Sequence, residues 1–201
     1  MVMEVALMDL WLPVLVATIC VFFASSIIWM LLPYHKKDIK FLTNESELTS
    51  KVSEMNIPAG LYMFPNCQTS EEMRSDEYKE RFEKGPWGTI TVMGAKPNFG
   101  LNLLKTFIAY LVITIFVAYI TAASTQAGAD YLAVFQVAGA AGILGHCMGG
   151  LAGDFFLGKP TRFIFTGFVD GVIFAMITAG VIASMWPGAG DGIPGAPLIV
   201  Q

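Results

Sequence analysis

Four long apolar stretches constrain this chain more than any other feature. They cover residues 10–32, 101–122, 131–156 and 163–186 and contain few charged side chains. Each is close to the roughly 20 residues that a helix needs to cross a hydrocarbon core about 30 Å thick. Because lipid offers no hydrogen-bond partner to an open backbone, we expect every stretch to be a helix. The sequence therefore predicts an all-α integral membrane protein with four transmembrane helices.

The positive charges predict an orientation. Ten of the twelve Lys and Arg residues lie between residues 36 and 105, and the other two, Lys159 and Arg162, join the last two apolar stretches. By the positive-inside rule, we expect this side to be cytoplasmic and both termini to face outward. The chain then divides into four parts: an outward amino terminus with the first helix (1–32), a cytoplasmic segment (33–100), helices two to four (101–186) and a Pro/Gly-rich outward tail (187–201).

The cytoplasmic segment has the pattern of a small α+β unit. It holds ten acidic and nine basic residues, so its surface has mixed charge and no phosphate-binding stripe. Apolar residues at helical spacing predict a helix over 45–56, and a capping box opens a second one over 69–84. Short runs bounded by Pro and Gly predict paired strands over 60–65 and 87–93.

Small residues recur every four positions in the last two helices. Such stripes let helix backbones approach closely in lipid, so we expect a tight antiparallel hairpin with Gly145 and Gly149 against Gly171 and Ala175. The alternative is that the glycines leave room for a cofactor such as chlorophyll, haem or quinone. The full stripes are Ala141, Gly145, Gly149 and Gly153 in the third helix, and Gly167, Gly171, Ala175, Ala179 and Ala183 in the fourth.

Two ionisable residues lie within the last two helices. His146 and Asp170 have similar predicted depths, slightly cytoplasmic of the middle. An ionisable group in hydrocarbon is costly, and an imidazole beside a carboxylate offsets the desolvation of both. We therefore expect these side chains to hydrogen-bond directly or through one water, as a structural pair, a proton relay or an axial-ligand site. His35, the only other histidine, lies at the inner edge of the first helix.

The sequence favours a non-catalytic role. It contains no phosphate loop, no HExxH motif and no G-x-S-x-G elbow, and its net charge of -4 excludes a nucleic-acid partner. The leading hypothesis is an accessory or assembly subunit that contacts the lipid bilayer and other membrane-protein subunits. One alternative is a small transporter or proton-conducting protein that uses His146 and Asp170. Another is a haem- or pigment-binding subunit, and the identity of any cofactor stays open.

Four short motifs carry a resemblance to a family. They are WMLLPYHKKD (29–38), GLYMFP (60–65), KGPWG (84–88) and DYLAVF (130–135). In these motifs, the chain resembles an uncharacterised family of four-span bacterial inner-membrane proteins of unknown function. The resemblance implies a bacterial inner membrane, with both termini periplasmic in the orientation above. It assigns no catalytic residue.

Overall fold

The computed structural model describes residues 5–188 of the chain. In this part, four apolar helices are long enough to cross a membrane, which confirms the predicted fold class. Residues 189–201, which make up most of the predicted tail, lie outside the described residues. The four helical stretches are Leu7–Met30 (span 1), Phe99–Ser124 (span 2), Tyr131–Phe156 (span 3) and Thr161–Ser184 (span 4).

Prolines lie near both ends of the α-helix in span 1. It starts as a 3₁₀ turn, Leu7–Leu10, and continues as α1, Trp11–Met30, with Pro13 in the first turn where a missing N–H leaves no broken bond. The chain leaves the helix before Pro33, because a proline disfavours helical backbone at the residue before it. A second 3₁₀ turn, Pro33–Lys37, follows directly. We call residues 33–38 the post-span turn.

Residues 39–98, named here the polar segment, contain a small α+β unit as predicted. Strands β1 and β2 form an antiparallel hairpin in which Tyr62 lies opposite Ile90. The helix predicted over 69–84 is divided at Ser75, whose extended backbone ends one helix while its hydroxyl accepts from the Tyr78 N–H of the next. The elements are α2 (Glu45–Glu54), β1 (Gly60–Phe64), α3 (Ser70–Arg74), α4 (Asp76–Lys84) and β2 (Gly88–Val92).

Spans 2 and 4 are single helices, and span 3 is interrupted. Span 2 is α5 (Phe99–Ser124), and span 4 is α8 (Thr161–Ser184). Span 3 consists of α6 (Tyr131–Ile143), a π-helical turn and α7 (Leu151–Phe156). The π turn, Leu144–Met148, has one more residue per hydrogen-bonded loop than an α-helix, so it changes which side chains follow on the same face.

Spans 3 and 4 pack against each other through glycines. A Cβ atom on Gly171 would lie 2.7 Å from Cys147 Sγ and 2.8 Å from the His146 carbonyl oxygen. A Cβ atom on Gly142 would lie 3.1 Å from the Ala175 Cα. Each helix therefore contributes a glycine at a point where its neighbour's backbone occupies the space of a side chain.

Several glycines of the predicted stripes lie away from this contact. Gly145 faces span 2, where an added Cβ would lie 2.7 Å from Ile113 Cγ2. An added Cβ at Gly149 would meet only the Gly145 oxygen at 3.7 Å, and at Gly153 or Gly167 it would meet nothing within 4 Å. The physical reason is the π turn. It changes which residues of span 3 face span 4 within the stretch where the prediction assumed a constant spacing of four residues. Gly142, outside the predicted stripe, takes the contact with Ala175.

The main core lies toward the end of the bundle opposite the polar segment, and all four spans contribute to it. At that end, the Trp186 indole N–H donates to the Gln126 carbonyl at 3.1 Å, and the Gly128 N–H donates to the Pro187 carbonyl at 2.9 Å. These bonds tie the loop between spans 2 and 3 to the end of span 4. Buried core residues include Leu10, Val14, Val117, Ala118, Val134, Ala138, Ala141, Ala179 and Ile182.

Gly171→Ala should destabilise the bundle, whereas Gly167→Ala should not. Both positions are inside α8 and four residues apart, so the gain in helix propensity is the same. Only the methyl group at Gly171 meets the span 3 backbone, and such overpacking costs about 1–3 kcal/mol. Thermal or mixed-detergent unfolding of the two variants measures the difference. Equal stability of the two would show that spans 3 and 4 do not pack at Gly171.

Candidate functional site

A buried polar network joins the post-span turn to span 4. The His35 Nδ1 lies 2.8 Å from Asp38 Oδ2, and its Nε2 lies 2.9 Å from Asp170 Oδ2. The His35 side chain is 5% exposed and that of Asp170 is 4% exposed. One imidazole therefore bridges two carboxyl groups in the interior of the protein. We call these three residues, with Arg162 and Thr166, the bridging network.

Asp38 is the most connected member of the bridging network. Its side chain is completely shielded from solvent, and its Oδ1 lies 2.9 Å from the Arg162 Nε. Its Oδ2 also accepts a hydrogen bond of 2.8 Å from the Thr166 hydroxyl. Arg162 donates in addition to the Tyr34 carbonyl at 2.8 Å. The first turns of span 4 thus hold the post-span turn by both side-chain and backbone contacts.

These contacts determine the charge of Asp38. Burial by itself raises the pKa of a carboxyl group, because it disfavours the charged form. Here the hydrogen bonds from Thr166 and His35 and the charge of Arg162 outweigh burial, and the pKa of Asp38 is lowered below its ordinary value. Asp38 is therefore a carboxylate at neutral pH.

Aromatic rings enclose the imidazole of His35. The Trp29 ring stacks on it with centroids 4.0 Å apart and an angle of 9° between the planes. The Tyr34 ring lies at the same centroid distance, tilted by 38°. Phe163 from span 4 meets the edge of Trp29 at 6.5 Å. The rings keep water away from the imidazole and present their π faces to it.

The structure separates the two residues that the sequence analysis expected to pair. His146 lies in the π turn, with its Nε2 3.4 Å from the Thr178 hydroxyl oxygen. Its ring centroid is 6.0 Å from that of Phe174 and 6.0 Å from that of Tyr110. His146 therefore meets span 4 one and two turns beyond Asp170.

Asp170 instead takes its imidazole partner from the other end of the chain. The predicted bond between His146 and Asp170 is replaced by the bond from His35, because the post-span turn folds back onto span 4. The sequence contained a signal for this. His35 and Asp38 are three residues apart in a short turn, close enough to bond, at the end of an apolar helix.

Cavities lie between the spans in the described part of the chain. A cavity of about 150 Å³ beside His146 is lined by residues that include Cys147, Gly150 and Gly167. This volume is below the range of about 300–1,000 Å³ typical of ligand pockets, so it does not favour a haem or chlorin next to His146. A cavity of about 390 Å³ between spans 1 and 2 is bordered by Trp29 and Tyr110. Within residues 5–188, no group of three His, Cys, Asp or Glu side chains is arranged to hold a metal ion.

Fold and site together define a four-span α-helical membrane protein with a carboxylate–imidazole–carboxylate network buried at one end of its bundle. Comparison of the chain with models of known protein families, with curated proteins and with solved structures gives no match. The resemblance to an uncharacterised bacterial family therefore stays a prediction.

Asp38→Asn should lower the thermal stability of the protein at neutral pH and flatten its decline in acid. Because the folded state lowers the pKa of Asp38, its stabilising effect is complete above the ordinary aspartate pKa of about 3.9 and is lost as the pH falls through the lowered value. Melting temperatures in detergent, measured across this acid range, test the expectation.

Asp76→Asn is the matched control, because Asp76 is an exposed carboxylate paired only with Lys79. It should keep the parent's profile. If Asp38→Asn gave the same dependence of melting temperature on pH as the control, Asp38 would not contribute to holding the post-span turn.

Proposed function

We propose that the protein is a non-catalytic accessory or assembly subunit of a larger membrane complex, and that the polar segment carries the contact with its partner. The observation behind this proposal is the solvent exposure of the polar segment. All of residues 39–98 are described, and none of them is buried. A folded unit of this size normally secures itself by burying apolar side chains, and this one leaves them accessible.

The β hairpin presents an uncovered apolar face. Leu61 and Met63 are 58% and 40% exposed, and they lie opposite Thr91 and Thr89 on the same face. A hairpin of two strands is marginally stable alone, and both of its strands have an unpaired edge. Such an edge can accept a further strand from another protein, and the apolar face can be covered by the same partner.

Further apolar side chains extend this surface. Phe64, Phe82 and Trp87 are all exposed and border a cavity of about 290 Å³ that reaches Phe156 and Leu157 at the end of span 3. Exposed apolar surface rimmed by charges is typical of a site of protein association.

The charge of the polar segment favours a protein over a lipid surface as the partner. With nine acidic and seven basic residues between positions 39 and 98, the polar segment has no net attraction to anionic headgroups. Mixed charge around an apolar centre suits the polar rim of a protein interface.

The proposal includes an orientation. Arg162 contacts Tyr34, so the cations between spans 3 and 4 lie at the same end as those after span 1. All twelve cations then fall on one side, which supports a cytoplasmic polar segment and periplasmic termini in a bacterial inner membrane.

Leu61→Ser combined with Met63→Ser should release the partner. The protein is purified from its native membrane in mild detergent, and the mass of the assembly is measured by native mass spectrometry. The parent should carry a second polypeptide in fixed ratio above its own 21.8 kDa, and the double variant should lose it.

Thr89→Ser combined with Thr91→Ser is the control, because it changes the same face and leaves its apolar side chains in place. It should retain the second polypeptide. A parent that appears only as a monomer or as copies of itself would overturn the proposed function, as would a double variant that keeps the partner.

A reporter enzyme that is active only in the periplasm should be active when fused after Gln201. Fusion of the same reporter after Met55, just beyond the end of α2, should give no activity, because the polar segment lies on the cation-rich side. The opposite pair of activities would reverse the orientation.

A further inference from the structure

We propose that His35, Asp38 and Asp170 form a proton-binding site, in which a doubly protonated imidazolium joins two carboxylates and thereby fastens the post-span turn to span 4. The ligand is a single exchangeable proton on the side of the ring that faces Asp170. This site is independent of the proposed partner contact, which lies in the polar segment.

The number of hydrogen bonds requires this proton. An ionised carboxylate only accepts hydrogen bonds, and a neutral imidazole has one N–H to donate. Both ring nitrogens of His35 lie within 2.9 Å of a carboxyl oxygen. Two such contacts need two protons, so the neutral ring with two carboxylates is one proton short.

The position of the first proton follows from the surroundings of Asp38. Asp38 is held as a carboxylate by Arg162 and Thr166, which lowers its pKa. The proton between Asp38 and His35 is therefore on Nδ1, which donates. The second proton must lie between Nε2 and Asp170 Oδ2, which are 2.9 Å apart.

Two features favour the imidazole over Asp170 as the holder of this second proton. The ring is flanked by the π systems of Trp29 and Tyr34, which attract a cation. With His35 charged, the network also contains two positive groups, His35 and Arg162, and two negative ones. The balance of charge limits the desolvation cost of burying these groups, and it is needed most at Asp170, whose Oδ1 is buried without a hydrogen-bond partner among the described residues.

The other charged groups of the packed elements have their own surroundings. Lys36 and Lys37 on the post-span turn are exposed, and so is Lys105 on span 2. Lys159 pairs with Asp154 at 2.6 Å. The charge balance of the site is therefore set by His35, Asp38, Arg162 and Asp170.

Loss of the shared proton would open the contact. The Nε2 lone pair would then face the Asp170 carboxylate, and two acceptors repel each other. The bond between Asp38 and the ring Nδ1–H would remain. The stabilising effect is thus present while the proton is bound and is lost as the pH rises, the opposite direction to the acid loss at Asp38.

Nitrogen NMR of protein labelled at histidine tests the site directly. The chain has two histidines, so two imidazoles appear in the spectrum, and His146→Gln identifies the signals of His35. In the parent at neutral pH, both ring nitrogens of His35 should be protonated. In Asp170→Asn, a carboxamide N–H can donate to Nε2, so Nε2 should lose its proton while Nδ1 keeps it.

A parent in which His35 is neutral at neutral pH would overturn the proposal, and so would an Asp170→Asn protein that retains both protons. Helicity and elution volume verify that the variant is folded. If the variant does not fold, the same question is tested on the parent protein. Its melting temperature should fall as the pH rises and the Nε2 proton is lost. Loss of that proton without a fall in melting temperature would equally overturn the proposal.

Discussion

The close approach of spans 3 and 4 at Gly171 is the constraint on which the other features depend. With no side chain at this position, the backbone of span 4 lies against the His146 carbonyl. Successive residues of a helix point about 100° apart. Asp170 lies one residue before Gly171. Its side chain is therefore directed to the edge of the contact between spans 3 and 4, toward the post-span turn. A single glycine thus sets both the helix packing and the direction of the buried carboxyl group.

Most of the fold could be predicted because its signals are local. Length and hydropathy predict the four spans, and caps, prolines and glycines predict the helices and the hairpin of the polar segment. The π turn at Leu144–Met148 has no comparable signal. The π turn depends on how span 3 meets its neighbours. A stripe extrapolated at a constant spacing of four residues therefore places Gly145 and Gly149 at the contact with span 4. In the structure, Gly142 meets Ala175, and the backbone of His146 meets Gly171.

The site was only partly predictable. Asp170 stands out in the sequence because a carboxyl group in an apolar helix needs a partner. Its partner could not be identified from depth in the membrane alone. His146 has a depth similar to that of Asp170, but depth does not give the rotation of each helix about its axis. His35 comes from a turn rather than from a span, and the turn folds back onto span 4 through the contact between Arg162 and Tyr34. Such long-range folding leaves no periodic pattern.

The separation of His35 and Asp170 also affects how the protein is made. They are 135 residues apart, and at about 5–20 residues per second the ribosome needs roughly 7–27 s to cover that distance. During this time His35 and Asp38 have neither Asp170 nor Arg162 beside them, because span 4 has not been synthesised. Span 1 therefore lacks the polar partners of its post-span turn until span 4 is synthesised. Completion of the bridging network therefore requires that span 4 has been synthesised.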